Sequence, residues 1–166
     1  TTLARHVADG IDGTAMFAAF TGKAASVMRS KGCYKASTIH SLIYRTRESG
    51  EEVPSFDLWE EAPASKADLL IIDECSMVDH ELGRDLISFG VPILVLGDPA
   101  QLPPIQSGGG ASSGAGFFTE QEPDAMLTEV HRQARDNPIV RLSMDIREGR
   151  ALEPGDYGDT QVVEKG

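Results

Sequence analysis

Short, mostly apolar runs alternate with amphipathic stretches along much of the chain. Apolar runs of this length are typical of strands buried on both faces, and they fall at residues 14–19, 69–73 and 91–96. Helical spacing and capping residues predict helices at residues 3–8, 21–31, 37–44, 79–89 and 137–149. The predicted caps of the last three are Ser37 or Thr38, Asp79, and Asn137. Strands separated by helices indicate an α/β fold, with a parallel sheet flanked by helices.

Three segments depart from this alternation. Residues 45–58 alternate polar and apolar positions around a Ser-Gly pair, which predicts a small hairpin, and Pro54 keeps it from being a central strand. Residues 106–116 are rich in Gly and Ser and predict a flexible loop. Residues 151–166 predict a tail with one strand at 161–163.

Polar residues follow the predicted strands. Thr21-Gly22-Lys23 comes after the first strand, Asp73-Glu74 ends the second, and Gly97-Asp98 follows the third. In open parallel sheets, ligands bind beyond the carboxyl ends of the strands. We therefore expect these segments to meet at one edge of the sheet and to form the site.

Composition narrows the class of protein. A chain of 166 residues with 40% hydrophobic positions suits one domain with its own core. No apolar run approaches the roughly 18 residues of a membrane-spanning helix, so we expect no membrane partner. Cys33 and Cys75 are too far apart for a Cys-x-x-Cys site and suit a reducing compartment. We expect a cytoplasmic protein, because the cysteines suit a reducing compartment and no signal peptide opens the sequence. A bacterium or a phage is the expected source.

The net charge of −11 by itself argues against a general nucleic-acid binder. The distribution changes this interpretation, because residues 1–50 hold seven Lys/Arg against three Asp/Glu. This basic segment could present a positive stripe to phosphates. Ordinary variation of surface charge would give the same numbers, and charge alone leaves both interpretations open.

Two segments carry recognisable chemistry. In residues 69–74, four apolar residues precede two acids, as a nucleotide hydrolase needs: Asp73 to hold Mg²⁺ and Glu74 to polarise an attacking water. A strand that merely ends at a polar turn remains an alternative for this motif alone. Residues 97–104 read Gly-Asp-Pro-Ala-Gln-Leu-Pro-Pro, a rigid exit from a buried strand that holds Gln101 ready to hydrogen-bond a phosphate oxygen or a water.

Together these segments resemble helicase motifs II and III of superfamily 1. They are most similar to its B branch, the RecD-like helicases related to the alpha subunit of exodeoxyribonuclease V. Residues 19–25 resemble motif Ia, 38–40 (Thr-Ile-His) a short DNA-contacting motif, and 129–133 motif IV, all in the family's order. The resemblance covers about residues 1–163. It implies a RecA-like P-loop NTPase domain in which residues 45–67 form the small 1B or pin hairpin.

The resemblance also implies residue roles in an ATP-driven motor that moves 5′ to 3′ on single-stranded DNA. Thr1 and Asp73 would hold Mg²⁺ on ATP, and Glu74 would activate water. Gln101 would sense the γ-phosphate, and Arg132 would offset charge in the transition state. The residues that would contact DNA are Thr21, Gly22, Lys23, Thr38 and His40. Subunits of a nuclease complex are a further class of partner that the resemblance allows.

The phosphate-cradling loop G-x-x-x-x-G-K-[ST] is absent from the sequence, and Gly22-Lys23 does not substitute for it because Ala24 follows. Residues 1–8 resemble the helix that follows a Walker A lysine, so we expect the chain to begin just after that lysine. We expect residues 1–44 and 68–150 to form the first motor domain, with the tail leading toward a second. We do not expect this chain alone to hydrolyse ATP or to unwind DNA.

Several alternatives stay open at this stage. Phe20 stands where the family usually has proline, and it could stack on a base or belong to the core. Without its motif, His40 would be read as a core histidine. Cys75, beside two acids, is expected to have a raised thiol pKa and no role. Two other classes of function remain: a single-stranded DNA-binding module without catalysis, and another P-loop ATPase of DNA recombination.

Overall fold

The computed structural model describes residues 1–47, 55–101, 104, 115–127, 137–158 and 160–163. The chain divides into two compact units, residues 1–122 and residues 123–166. In the part of the chain that the structure describes, no helix is long and apolar enough to cross a membrane. The assignment of residues 1–44, 45–67 and 68–150 to motor domain and hairpin stays a prediction.

The first unit holds most of the regular structure. Its elements are α1 (Thr2–Asp9), β1 (Ala15–Ala19), α2 (Gly22–Ser30), β2 (Ser37–Thr38), α3 (Ile39–Ile43), β3 (Tyr44–Arg47), β4 (Ser55–Leu58), β5 (Leu69–Asp73), α4 (His80–Ser88) and β6 (Ile93–Val95). Two short 3₁₀ turns, Pro63–Lys66 and Cys75–Met77, flank β5. The second unit contains α5 (Pro138–Arg147), β7 (Gly155–Asp156) and β8 (Gln161–Val162).

The central sheet is parallel and has the strand order β2-β1-β5-β6. Ala19 at the end of β1 lies opposite both Thr38 on one side and Asp73 on the other. Ile72 lies opposite Val95 of β6. The strands therefore end at the same level, which confirms the predicted α/β fold with a parallel sheet.

Helices cover both faces of this sheet. Ile72 of β5 packs with Ile39, Ile43 and Leu86, which come from α3 and α4. The neighbouring Ile71 points to the other face. There the buried partners are Ala4 of α1, Phe17 and Ala19 of β1, and Ala25 and Met28 of α2. The apolar runs of the strands thus build two cores, one on each side of the sheet.

The predicted helix caps at Asp79 and Asn137 are confirmed, whereas the observed bounds of β6 and α3 differ from the predicted ones. Asp79 accepts a hydrogen bond from the Leu82 N–H at the start of α4, and Asn137 does the same for α5. Strand β6 is shorter than the predicted 91–96 and begins after Pro92, which has no N–H to give to a ladder. Helix α3 ends one residue early because Tyr44 already opens β3.

The predicted hairpin is confirmed by the antiparallel pairing of β3 with β4, which places Tyr44 opposite Leu58. Its tip, residues 48–54, lies outside the described residues, as do residues 106–114 of the Gly/Ser-rich segment. The expectation of a flexible loop over residues 106–116 therefore stays a prediction. Gly116 is buried and packs so closely on the backbone of Ser76 that no side chain would fit there.

One hydrogen bond ties the base of the hairpin to the body of the unit. The Tyr44 hydroxyl donates to the Asp85 carboxylate on α4, and its ring packs 5.6 Å from the His40 ring. Burial raises the pKa of the Tyr44 phenol, and the hydrogen bond to the negative Asp85 raises it further. The phenol therefore stays protonated and keeps its donor over the whole neutral range.

Replacing Tyr44 with Phe should lower the free energy of unfolding by about 1–3 kcal/mol, because the Asp85 carboxylate loses its donor. Tyr34→Phe is the matched control, since the Tyr34 side chain is 78% exposed. The folded pKa of Tyr44 lies above its unfolded value, so the stabilisation is complete below pH about 10 and declines above it. Urea unfolding at several pH values measures both effects. Equal stabilities for Tyr44→Phe and wild type at neutral pH would show that the Tyr44–Asp85 hydrogen bond does not stabilise the fold.

Candidate active site

The three predicted segments do meet at one edge of the sheet. Because Ala19 is level with Asp73, residues Thr21-Gly22-Lys23 emerge beside Asp73-Glu74. Gly97 follows β6 on the other side of β5, where the Leu96 N–H donates to the Ile72 carbonyl at 2.8 Å. The carboxyl ends of β1, β5 and β6 therefore bring these polar residues together, as the sequence predicted.

A cavity of about 310 Å³ lies at this edge. It joins the residues predicted for Mg²⁺ and water chemistry to two of those predicted for DNA. Of its apolar members, Val27 could have been found one helical turn after Lys23, whereas Met77 gave no signal in the sequence. The wall is formed by Thr1, Phe20, Thr21, Lys23, Ala24, Val27, Asp73, Glu74 and Met77.

Asp73 is the most constrained polar group of the cavity. It is only 8% exposed, and its Oδ2 accepts a 2.7 Å hydrogen bond from the Thr1 hydroxyl. Its Oδ1 accepts from the Glu74 N–H at 3.1 Å. A buried carboxylate beside a hydroxyl is a donor set that suits Mg²⁺, which takes few protein ligands and completes its shell with water and phosphate oxygens. Among the described residues, no group of three or more His, Cys, Asp or Glu could hold a metal by itself.

Glu74 has an unusual backbone conformation. Its φ of 57° and ψ of 48° place it in the left-handed region, which costs a non-glycine residue on the order of 1–3 kcal/mol. The conformation turns the chain sharply from β5 into the 3₁₀ turn Cys75–Met77 and leaves the Glu74 side chain exposed at the cavity wall. A carboxylate in that position can accept a proton from a water inside the cavity.

Gly97 lies against the turn that follows Glu74. The Cys75 N–H donates to the Leu96 carbonyl at 3.1 Å, and a Cβ on Gly97 would come within 2.5 Å of Cys75 Sγ. Burial raises the pKa of the Cys75 thiol, and Asp73 and Glu74 raise it further. The raised pKa is confirmed, but burial is its larger cause, ahead of the neighbouring acids.

Gln101 occupies a tight turn after β6. Its N–H donates to the Asp98 carbonyl at 3.0 Å, and the Asp98 side chain accepts from the Ala100 N–H at 3.0 Å. Its side chain is exposed and is not part of the cavity wall formed by the described residues. Arg132 lies outside the described residues, as does the whole of 129–133. The catalytic roles of both residues stay predictions.

The predicted DNA residues include two helix caps. Thr21 accepts from the Ala24 N–H at 3.1 Å and begins α2, and Thr38 accepts from the Ser41 N–H at 3.2 Å and begins α3. Each threonine therefore has a structural role as a helix cap, and the prediction of a cap at Ser37 or Thr38 is confirmed for Thr38. Their contact with DNA stays a prediction.

His40 is exposed, so its interpretation as a core histidine is wrong. Its ring lies between Phe20, at 6.1 Å, and Tyr44, at 5.6 Å. Phe20 is half-buried: it packs on the core and also contributes to the cavity wall. The two interpretations of Phe20 from the sequence are therefore compatible with its position.

Comparisons with known proteins agree with this geometry. A family model described as an AAA domain matches residues 1–166. The ATP-dependent DNA helicase dda of Enterobacteria phage T4 is 31% identical over 158 residues, which cover 90% of this chain and 36% of that protein. The ATP-dependent RecD2 DNA helicase of Deinococcus radiodurans is 34% identical over 139 residues, which cover 82% of this chain and 18% of that protein.

A solved structure of Pif1 helicases, described as a basis for DNA unwinding at forked duplex DNA, has a TM-score of 0.50 and 24% identity, covering 71% of this chain and 32% of that one. This likeness defines the class of the fold as a RecA-like P-loop NTPase domain. The chain belongs to the AAA domain family. Its similarity to the dda and RecD2 helicases supports the resemblance to RecD-like helicases of superfamily 1B that the sequence motifs carry. It spans less than half the length of either relative.

Replacing Gly97 with Ala should lower the free energy of unfolding by about 1–3 kcal/mol, because the new methyl group meets Cys75 Sγ. In a Cys75→Ala background the loss should be smaller, since the sulfur is gone. Denaturant titration of the four proteins in this double-mutant cycle measures the coupling.

Gly22→Ala is the control for this cycle, since a Cβ there meets no atom within 4 Å and should not destabilise the fold. An equal loss from Gly97→Ala in both backgrounds would contradict the explanation by close contact.

Proposed function

We propose that the full-length protein is an ATP-dependent DNA helicase that moves 5′ to 3′ on single-stranded DNA. The observation that carries this proposal is the shared cavity, in which the buried Asp73 and the exposed Glu74 lie beside Thr21 and Lys23. Nucleotide chemistry and a DNA-contacting loop can influence each other directly only if they are neighbours. The names of the two relatives, both ATP-dependent DNA helicases, support the same conclusion.

At the nucleotide end, Thr1 and Asp73 are the proposed ligands of Mg²⁺. A bound Mg²⁺ would neutralise charge on the β- and γ-phosphates of ATP. The Thr1 hydroxyl now donates to Asp73, so these oxygens already converge. Glu74 orients and deprotonates the attacking water, and its strained backbone fixes the direction of its side chain.

Gln101 and Arg132 complete the proposed machinery. The turn that holds Gln101 continues from β6, which is hydrogen-bonded through Leu96 to Ile72 of the strand that ends in Asp73. A change in the phosphate state that moves Gln101 is thereby transmitted to the centre of the sheet. Arg132 offsets the charge that develops in the transition state, a role proposed on the resemblance alone.

At the DNA end, Thr21, Gly22, Lys23, Thr38 and His40 bind the sugar-phosphate backbone, so binding is nonspecific in sequence and sensitive to salt. Gly22 supports this proposal. Its φ is not positive and a Cβ would meet nothing, so the fold does not require glycine there. Close approach of a ligand to the backbone is a reason for glycine at such a position.

The proposal also assigns the segments of the chain. Residues 1–44 and 68–150 are the first motor domain, and the hairpin of residues 45–67 separates the strands at the fork. Residues 151–166 lead toward the second motor domain. The protein acts in the cytoplasm of a bacterium or a phage-infected cell, and subunits of a nuclease complex are proposed partners on the resemblance alone.

ATP hydrolysis by the full-length protein, measured with and without oligothymidine, tests the proposed function. We expect the oligonucleotide to stimulate hydrolysis strongly, because the proposed nucleotide site and the proposed DNA-contacting residues share one cavity. If folded protein with Mg²⁺ hydrolyses no ATP in either condition, the helicase proposal fails. Oligothymidine binding in the same preparation would then favour the module that binds DNA without catalysis.

Replacing Glu74 with Gln in the full-length protein should lower kcat by about 10²- to 10⁴-fold, because the amide cannot accept the proton of water. The affinity for ATP should be unchanged, which a nucleotide titration with a fluorescent analogue measures. Glu61→Gln, at an exposed carboxylate elsewhere in the same unit, is the matched control and should keep wild-type kcat. Wild-type turnover in Glu74→Gln would remove this residue from the role of base.

Replacing Lys23 with Ala should weaken binding of single-stranded DNA and lower the slope of log Kd against log salt by about one unit. Arg84→Ala removes an exposed positive charge from α4, which no DNA-contacting segment includes, and should leave the slope unchanged. Gly22→Ala should weaken binding as well, by obstructing the backbone of the strand. Fluorescence anisotropy across a salt series measures all three, and an unchanged slope for Lys23→Ala would exclude Lys23 from the DNA contact.

A further inference from the structure

The most basic part of this acidic chain extends beyond the motif residues. Between residues 13 and 47 the sequence holds six Lys/Arg and no Asp or Glu, although the whole chain carries a net charge of −11. On α2, Lys23 and Val27 are four residues apart, and both are exposed. Lys31 continues this spacing directly after the helix. One face of α2 therefore leads from the cavity to the turn of residues 31–36.

The turn of residues 31–36 is held by its own backbone. The Cys33 N–H donates to the Met28 carbonyl at 3.0 Å, and the Ala36 N–H donates to the Cys33 carbonyl at 3.2 Å. Arg29 Nη1 donates to the Ala36 carbonyl at 2.5 Å, and the Cys33 side chain is fully buried. These hydrogen bonds and the buried Cys33 side chain fix the backbone of the turn, and with it the position of the exposed residues Tyr34 and Lys35.

Tyr34 lies on the outside of this turn, and its aromatic side chain does not pack in either hydrophobic core. It is 78% exposed, although its neighbours Cys33 and Ala36 are buried. Lys35 Nζ lies 5.3 Å from the centroid of the Tyr34 ring, in the position of a cation–π contact. Lys35 itself has a φ of 56°, a left-handed conformation that is uncommon for residues other than glycine.

Several cations belong to the turn that carries this ring or contact that turn. Lys31 and Lys35 flank it in sequence, and Arg29 binds the end of the same turn. Arg5 approaches from α1, where a Cβ on Gly32 would come within 3.0 Å of Arg5 Cδ. The described acids of this neighbourhood are Asp9, whose Oδ2 lies 3.9 Å from Arg5 Nε, and Asp73, and both raise the pKa of the Cys33 thiol in the turn. The surroundings are thus mainly positive.

We propose that Tyr34 stacks on a base of single-stranded DNA, with Lys31 and Lys35 binding the phosphates on either side of it. This contact lies outside every motif residue named above. Exposed aromatic rings between cations are the elements from which proteins build sequence-tolerant contacts to single strands. Lys35 occupies one side of the ring, and the other side is available to a base.

This contact extends the DNA path of the proposed function, on which it rests. Tyr34 is four residues before Thr38, so the chain between them spans at most about 14 Å. A strand held at Thr38 and Lys23 reaches Tyr34 with additional nucleotides only when it is long enough. An acidic protein segment would use the cations but would not need an exposed ring, and for this reason DNA is the ligand proposed.

The test compares oligothymidines of increasing length on the full-length protein. The shortest that wild type binds measures the motif site, and longer ones add the contact at Tyr34. Tyr34→Ala should bind the shortest oligonucleotide like wild type and bind longer ones about fivefold more weakly or worse. Tyr34→Phe keeps the ring and should restore wild-type affinity. Lys31→Ala and Lys35→Ala should each lower the salt slope for long oligonucleotides by about one unit, and Arg84→Ala, at an exposed cation on α4, should not.

The outcomes separate this inference from the proposed function. If wild type binds oligothymidine but Tyr34→Ala matches it at every length, the Tyr34 contact is refuted and the helicase proposal stands. If Tyr34→Ala binds the shortest oligonucleotide as weakly as the long ones, the residue acts on the motif site and the separate contact is refuted. If wild type binds no oligothymidine at any length, both proposals fail.

Discussion

The level pairing of three parallel strands is the constraint on which the site depends. Ala19 lies opposite Asp73, and Ile72 lies opposite Val95, so β1, β5 and β6 end at one height. A one-residue slip in a strand would move its side chains to the opposite face. Such a slip in β5 would bury Glu74 and withdraw Asp73 from the Thr1 hydroxyl. The two cores on either side of the sheet hold this pairing in place.

Much of the fold could be predicted because local sequence determines it. The strands β1 and β5 are short apolar runs between turn signals, which are typical of strands buried on both faces of a sheet. Asp79 and Asn137 are side chains that satisfy the first free N–H groups of a helix, and their partners are two or three residues away. The meeting of the polar segments also followed from the sequence, since parallel strands share a carboxyl edge.

The remaining features depend on residues far apart in sequence, which no local pattern connects. The Tyr44 hydroxyl finds Asp85 on another helix, and Gly97 is required by the sulfur of Cys75. The positions of these residues in the sequence do not indicate that Tyr44 contacts Asp85 or that Gly97 contacts Cys75. The left-handed Glu74 contradicts the preference of its own residue type, and only the turn between β5 and the following 3₁₀ helix enforces it. Strand β2 is two residues long, too short to produce a periodic signal.

The direct junction between α3 and β3 has a mechanical consequence. Helix α3 ends at Ile43 and β3 begins at Tyr44, and the Trp59 N–H closes the base by donating to the Ile43 carbonyl at 3.0 Å. Because no linker separates them, a displacement of α3 would be passed directly to the base of the hairpin, where the Tyr44–Asp85 hydrogen bond restrains it. The orientation of the hairpin base is therefore coupled to the position of Thr38, the cap of α3.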